Sequence, residues 1–142
     1  MSYSQKIYLF LLRISLGWIM FYAGYAHLST PGWSASGYIS GAQSFSGFYN
    51  WFLLPNILPT VNLLNEWGIL LLGISFILGV GIKYSAIFGS ILMGLYYFVI
   101  LSFPYVGANA FIIDDHIIYI LVMLYLRNER AGRVWGLGNW LE

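Results

Sequence analysis

Residues 84–103 contain no charged side chain at all. Twenty such residues coiled into a helix reach ~30 Å, the thickness of a bilayer's hydrocarbon, and no other feature narrows the choice of fold as much. Residues 7–28, 61–80 and 110–126 are similarly apolar, their titratable interruptions being Arg13, His27, Glu66 and the triplet Asp114, Asp115 and His116, besides tyrosines. Charged residues make up 8% of the chain against ~25% in an ordinary soluble domain, too few to cover a water-facing surface. The reading is therefore a single all-α membrane domain over residues 1–142, a four-transmembrane-helix bundle with lipid as its solvent. A cleaved signal peptide fits the first span poorly, because its apolar stretch exceeds the ~7–15 residues of a signal core and Arg13 interrupts it.

Between the first and second spans lies an outer loop, residues 29–60, rich in Ser, Gly and aromatics and free of charge. Its stretch "GFYNWFLLPNILP" holds Tyr49, Trp51 and two prolines, too short and broken to cross. Rings with polar edges favour the headgroup zone, so the loop reads as an interfacial or re-entrant segment; a soluble loop is the plainer alternative. The basic residues set the orientation. Lys6 and Arg13 open the first span, Lys83 sits between the second and third, and Arg127, Arg130 and Arg133 follow the fourth. With four spans all six fall on one side, which predicts cytoplasmic termini in a multi-pass cell-membrane protein.

Polar groups inside the spans are costly and mark candidate sites. If Asp114 merely capped the fourth helix, its apolar part would be residues 117–126, ~15 Å, about half the hydrocarbon thickness. The helix is thus expected to begin earlier, with the triplet one to two turns below the outer surface. Helical spacing would turn Asp114 and His116 about 160° apart, toward different neighbours. His27 closes the first span and Glu66 opens the second, so both join the triplet in the outer half, while Arg13 lies in the inner half. Each has a plainer reading. Glu66 and His27 could be a buried pair holding helices together, the triplet a hydrated helix start, and Arg13 a snorkelling side chain or a carboxylate's partner. Arg13, Gly17, Gly24 and His27 share one face of the first span, and Gly68, Ser75 and Gly79 one stripe of the second. Ser85/Gly89 and Ser90/Gly94 are small-xxx-small pairs in the third. The "GRVWGLG" stretch of the tail has no preceding strand, so it does not read as a phosphate loop.

"LRISLGWIMFYAGYAHL", "NEWGILLLGISFILGVGIKYSAIFGSILM" and "DDHIIYILVMLYLRNERAGRVWGLGNWLE" resemble the helices of the DoxX/DoxD-like family, outside residues 29–60. The resemblance implies a four-helix membrane protein. That family includes the small membrane subunit of a thiosulfate:quinone oxidoreductase, besides members without assigned activity. Its marked positions fall on Arg13, Glu66, Asp115, His116 and the Ala131, Gly132, Arg133 turn. Two positions depart from the family pattern: His27 stands for a lysine and Gly138 for an aspartate, which puts its activity in doubt here.

The expected function is a membrane subunit linked to quinone-coupled redox chemistry, with Glu66, Asp115 and His116 as catalytic groups and His27 and Arg13 binding the cofactor. Histidine can bond a quinone carbonyl and shuttle protons near neutral pH, and a carboxylate can relay them. The alternative is a non-catalytic accessory subunit stabilising a larger respiratory or oxidase complex. Haem on His27 and His116 is a weaker reading, two histidines being a thin pattern. The chain has no cysteine, which removes thiolate metal sites and iron–sulfur clusters; no metal is expected, and electrons would come through a bound cofactor or a partner. The expected partners are the bilayer and other membrane subunits; a net charge of +1 offers nothing to nucleic acid.

Overall fold

A computed structural model describes residues 1–141. Three helices are long and apolar enough to cross a membrane: α1 (Tyr3–Ser29), α4 (Leu58–Leu78) and α5 (Ile82–Ile100). Helix α1 starts at a capping box, in which the Ser2 hydroxyl accepts from Gln5 N–H while the Gln5 side chain accepts from Ser2 N–H. At 27 residues it reaches about 40 Å and overshoots the hydrocarbon. Pro59 sits in the first turn of α4, where its missing N–H costs nothing. Gly79 ends α4 at φ 73°, a left-handed conformation that a side chain would strain.

The glycine face of α1 packs on α4 as its spacing suggests. A Cβ at Gly24 would lie 2.5 Å from the Leu70 backbone nitrogen, and one at Gly17 would lie 2.9 Å from that of Ile77. The matching glycine on α4 is Gly73, against the Phe21 backbone, and not Gly68, where an added Cβ would meet only the Phe88 ring at 3.4 Å. Leu9, Leu16, Met20, Ile69, Leu72 and Phe76 fill the core around this contact, joined by Met123 and Leu126 from α6.

The fourth helix corrects the expectation. Helix α6 (Asp115–Asn128) has 14 residues and Asp114 is its N-cap, accepting from the backbone N–H of His116 and Ile117. At ~21 Å it is short for a crossing. Residues 110–113, read as its start, are not helical. Strands β1 (Leu101–Ser102), β2 (Tyr105–Val106) and β3 (Ala110–Phe111) form an antiparallel meander in that order. Strand pairing satisfies the backbone there, and Tyr97 donates its hydroxyl to the Ile112 carbonyl at 2.5 Å. A short apolar run does not by itself distinguish helix from strand, and here the pairing partner decided.

Residues 30–57 fold back over the loop end of the bundle through α2 (Ser36–Ile39) and α3 (Ser46–Phe52). Ala35, Ile39 and Tyr49 build a second small core with Val99 of α5. Asn62 accepts from Ala35 N–H at 2.9 Å, and the Tyr49 and Tyr38 hydroxyls donate to the carbonyls of Leu95 and Tyr96.

The opposite end holds both termini. Arg13, 0% exposed, donates to the carbonyls of Ala131 (2.6 Å), Val134 (3.1 Å) and Trp135 (3.2 Å). It therefore does not snorkel, and among the described residues it pairs with no carboxylate; its guanidinium lies against the tail and beside Gly79 at the C-terminus of α4, where the helix dipole favours a cation. Leu137 N–H donates to the Leu78 carbonyl, and Gly132, Gly136 and Gly138 let the tail close over the turn at residues 79–81.

Candidate functional site

The loop end holds a half-open cavity of about 700 Å³ between α1, α4, α5, α6 and residues 33–52. That is within the ~300–1,000 Å³ of small-molecule sites. Its walls are mainly apolar, with a few polar groups converging. His27 comes from the last turn of α1, Asn65 from α4, Tyr96 from α5 and His116 from α6, and the folded loop adds Tyr38 and Tyr49.

Local geometry fixes each of them. The His27 ring stacks on Trp33, centroids 4.0 Å apart and planes 18° from parallel, because the chain doubles back just after α1. Its Nδ1 is buried without a hydrogen-bond partner among the described residues, an unusual state for a polar atom. Asn65 is buried and donates to the Val61 carbonyl, while its side-chain oxygen accepts from the Tyr96 hydroxyl. The edges of the Tyr96 ring meet His116 at 6.0 Å and Tyr38 at 5.7 Å. His116 Nδ1 lies 2.6 Å from the Asp114 carboxylate. These two were expected to point apart. Asp114 is extended rather than helical, so its side chain curls back over the first turn and both caps the helix and holds the imidazole. No hydrogen bond to His116 Nε2 occurs among the described residues.

The five residues singled out from the sequence thus separate. His27 and His116 line one cavity. Glu66 is half-buried, close enough for its charge to act on His27, yet outside the lining and in no ion pair among the described residues. Asp115 is exposed, on the first turn of α6, where a negative charge suits the dipole. Arg13 lies about 21 Å down α1 from His27. Asn65, Tyr96 and Trp33 were missed. All three are uncharged, and a search for titratable groups passes over them; an amide one residue from Glu66 in an apolar run was the available signal.

Burial, and after it the charge of Asp114, push the Tyr38 hydroxyl up to about 12 from 10.0. The raised value means the folded protein holds that proton more tightly, so the contribution to stability is complete below pH 10 and is lost between pH 10 and about 12. Asp114→Asn will bring the Tyr38 titration down while keeping the cap. Asp114→Ala will do the same and also cost about 1 kcal/mol through the lost cap. Ultraviolet difference titration against Tyr38→Phe, with denaturant melts, reads both effects; an unmoved Tyr38 in both variants would remove Asp114 from its surroundings.

The DoxX family model matches residues 8–102, two thirds of the chain, from α1 through β1. The match runs across residues 29–60, which the motif resemblance left out, and stops short of α6 and the tail. No curated protein and no solved structure matches. With three helices of membrane-crossing length and a family model over two thirds of its residues, the chain belongs to the DoxX family of membrane proteins.

Proposed function

We propose that this membrane protein is a subunit linked to quinone-coupled redox chemistry, with the cavity at the loop end as the site of a quinone head. One observation carries the reading: two histidines from distant helices line a single apolar-walled cavity. The donor set fits the group. Among the described residues the buried Nδ1 of His27 lacks a partner and His116 Nε2 has none recorded, and a quinone ring presents two oxygens and a face for Trp33 and Tyr96 to flank. When bound, a quinone supplies a two-electron, two-proton couple. The chain's own residues bind and orient the ring and surround it with mainly apolar walls, and His116, its Nδ1 against the Asp114 carboxylate, turns Nε2 toward exchange of a proton with a ring oxygen. Glu66 and Asp115 then act through the local field, and Arg13 holds the tail. In this reading the cavity faces the extracytoplasmic side, with both termini in the cytoplasm and residues 29–60 at the interface.

The accessory reading, in which the protein only stabilises a larger membrane complex, draws on the same Asp114 contact, which serves α6 whether or not a ligand binds. Binding separates the two. A quinone with one isoprene unit, titrated into purified protein in detergent, will quench tryptophan fluorescence. His27→Ala and His116→Ala will each weaken that binding about tenfold, the worth of one hydrogen bond to a buried ligand, with circular dichroism unchanged. Equal binding by wild type and both variants would remove the cavity from the function and leave the accessory role.

A further inference from the structure

A second hollow of about 430 Å³ lies between α4 and α5, lined by Leu63, Trp67, Gly68, Leu71, Tyr84 and Ser85 among others. It shares Leu64 and Phe88 with the cavity above. Both side chains face outward, at 46% and 43% exposure, so the hollow opens laterally where lipid would be. The helices on either side are tied near the turn by the hydroxyls of Ser75 and Ser85, 2.6 Å apart, and nearer the loop end by the bond from Tyr96 to Asn65.

Gly68 is the telling residue. Glycine inside a helix costs up to ~1 kcal/mol relative to alanine. At Gly17, Gly24 and Gly73 that cost is offset by helix contact no side chain would allow. At Gly68 an added Cβ would touch only a ring edge at ordinary distance, so close packing does not require a glycine there. What its missing side chain does is keep the hollow open.

We infer that the cavity and this groove form one site for a single amphipathic ligand, the ring in the cavity and a polyisoprenyl tail running past Phe88 and Gly68 along the membrane face. The inference rests on the quinone reading and adds that the ligand enters sideways from the bilayer and is selected by its tail. From Leu64 to Leu71 the groove follows about 10 Å of α4, enough to hold the first part of a tail. The walls are mostly apolar, with Leu63, Leu64, Leu71, Leu72 and Phe88 among them, which suits hydrocarbon.

The test compares a quinone bearing one isoprene unit with one bearing a long polyisoprenyl tail, on the full chain in nanodiscs, at equal mole fraction of quinone to lipid. Gly68→Leu fills the groove from within and improves helix propensity. Leu71→Trp, at a lipid-facing position, narrows it from the side should the first variant fold poorly. Each is expected to weaken the long-tailed ligand about tenfold and leave the short-tailed one unchanged. Unchanged affinity for both ligands would mean that ordinary lipid fills the groove, and equal weakening of both would mean that the variants disturb the cavity; either overturns the inference while the quinone reading stands. Wild type that binds neither ligand sinks the quinone reading and the inference with it.

Discussion

Arg13→Ala will destabilise the protein by about 3 kcal/mol and release its C-terminal tail. The guanidinium is fully buried and donates to three carbonyls of residues more than a hundred positions away. Hydrogen bonds from charged groups are worth ~1.5–3 kcal/mol each, and removing the donor leaves carbonyls in a site water reaches poorly. The three do not add in full, since Ala131's carbonyl keeps the N–H of Val134. Arg13→Lys keeps the charge, but one ammonium cannot spread over carbonyls that the two arms of the fork reach separately, so it should recover only part of the loss. Thermal unfolding in detergent gives the stability, and protease cleavage near Arg133 reports the tail. An alanine variant with wild-type stability and a protected tail would show that the glycine contacts alone dock it.

Gly24→Val and Gly73→Val come next, at about 3 kcal/mol each. The obstacle at both is backbone, from Leu70 and Phe21, which cannot rotate away as a side chain would. Overpacking a tight contact costs ~1–3 kcal/mol and more where backbones must part. In lipid the loss is not recovered by solvent, because association of apolar helices depends on close packing rather than on escape from water. Gly94→Val, on α5 with open space around it, is the control and should change little. If all three variants unfold alike, the α1–α4 contact is not the centre of the bundle.

The Arg13 result bears on how this molecule is held together. A cation inside an apolar span looks like a site, and the family resemblance marks that position too. Its hydrogen-bond partners here are main-chain carbonyls of the tail, and it lies beside the C-terminal end of α4, so one residue ties three parts of the chain at one end of the bundle. The polar groups at the other end are arranged differently: α1, α4, α5 and α6 each give one, and the folded loop closes over them with Tyr38 and Tyr49. The anchoring contacts thus lie at the end away from the cavity, whose walls stay mainly apolar.

Three of the helices could be read directly from the sequence. Residues 7–28, 61–80 and 84–103 agree with α1, α4 and α5 to within a few positions, because hydrocarbon demands a continuous apolar helix and nothing local competes with it. The α1 glycine face was legible for a related reason: a spacing that repeats on one side of a helix reports the neighbour it must admit. The start of α6 was not. Length alone argued that Asp114 lay inside the helix, but Ala110 and Phe111 pair as a strand with Tyr105 and Val106, a choice that a short apolar run does not announce.

The cavity shows the same division. Sequence alone determined that His27 and His116 lie toward one end of the bundle, since both close the loop-side ends of apolar runs and the chain alternates direction. Only the tertiary structure decided that they share a hollow, that Asn65 and Tyr96 stand between them, and that Glu66, Asp115 and Arg13 stay out of it. The physical reason is range: hydrophobicity and helical period act along a few turns of one segment, whereas which side chains face one another depends on the rotation and depth of separate helices, set by glycine contacts and by a loop that no periodicity describes.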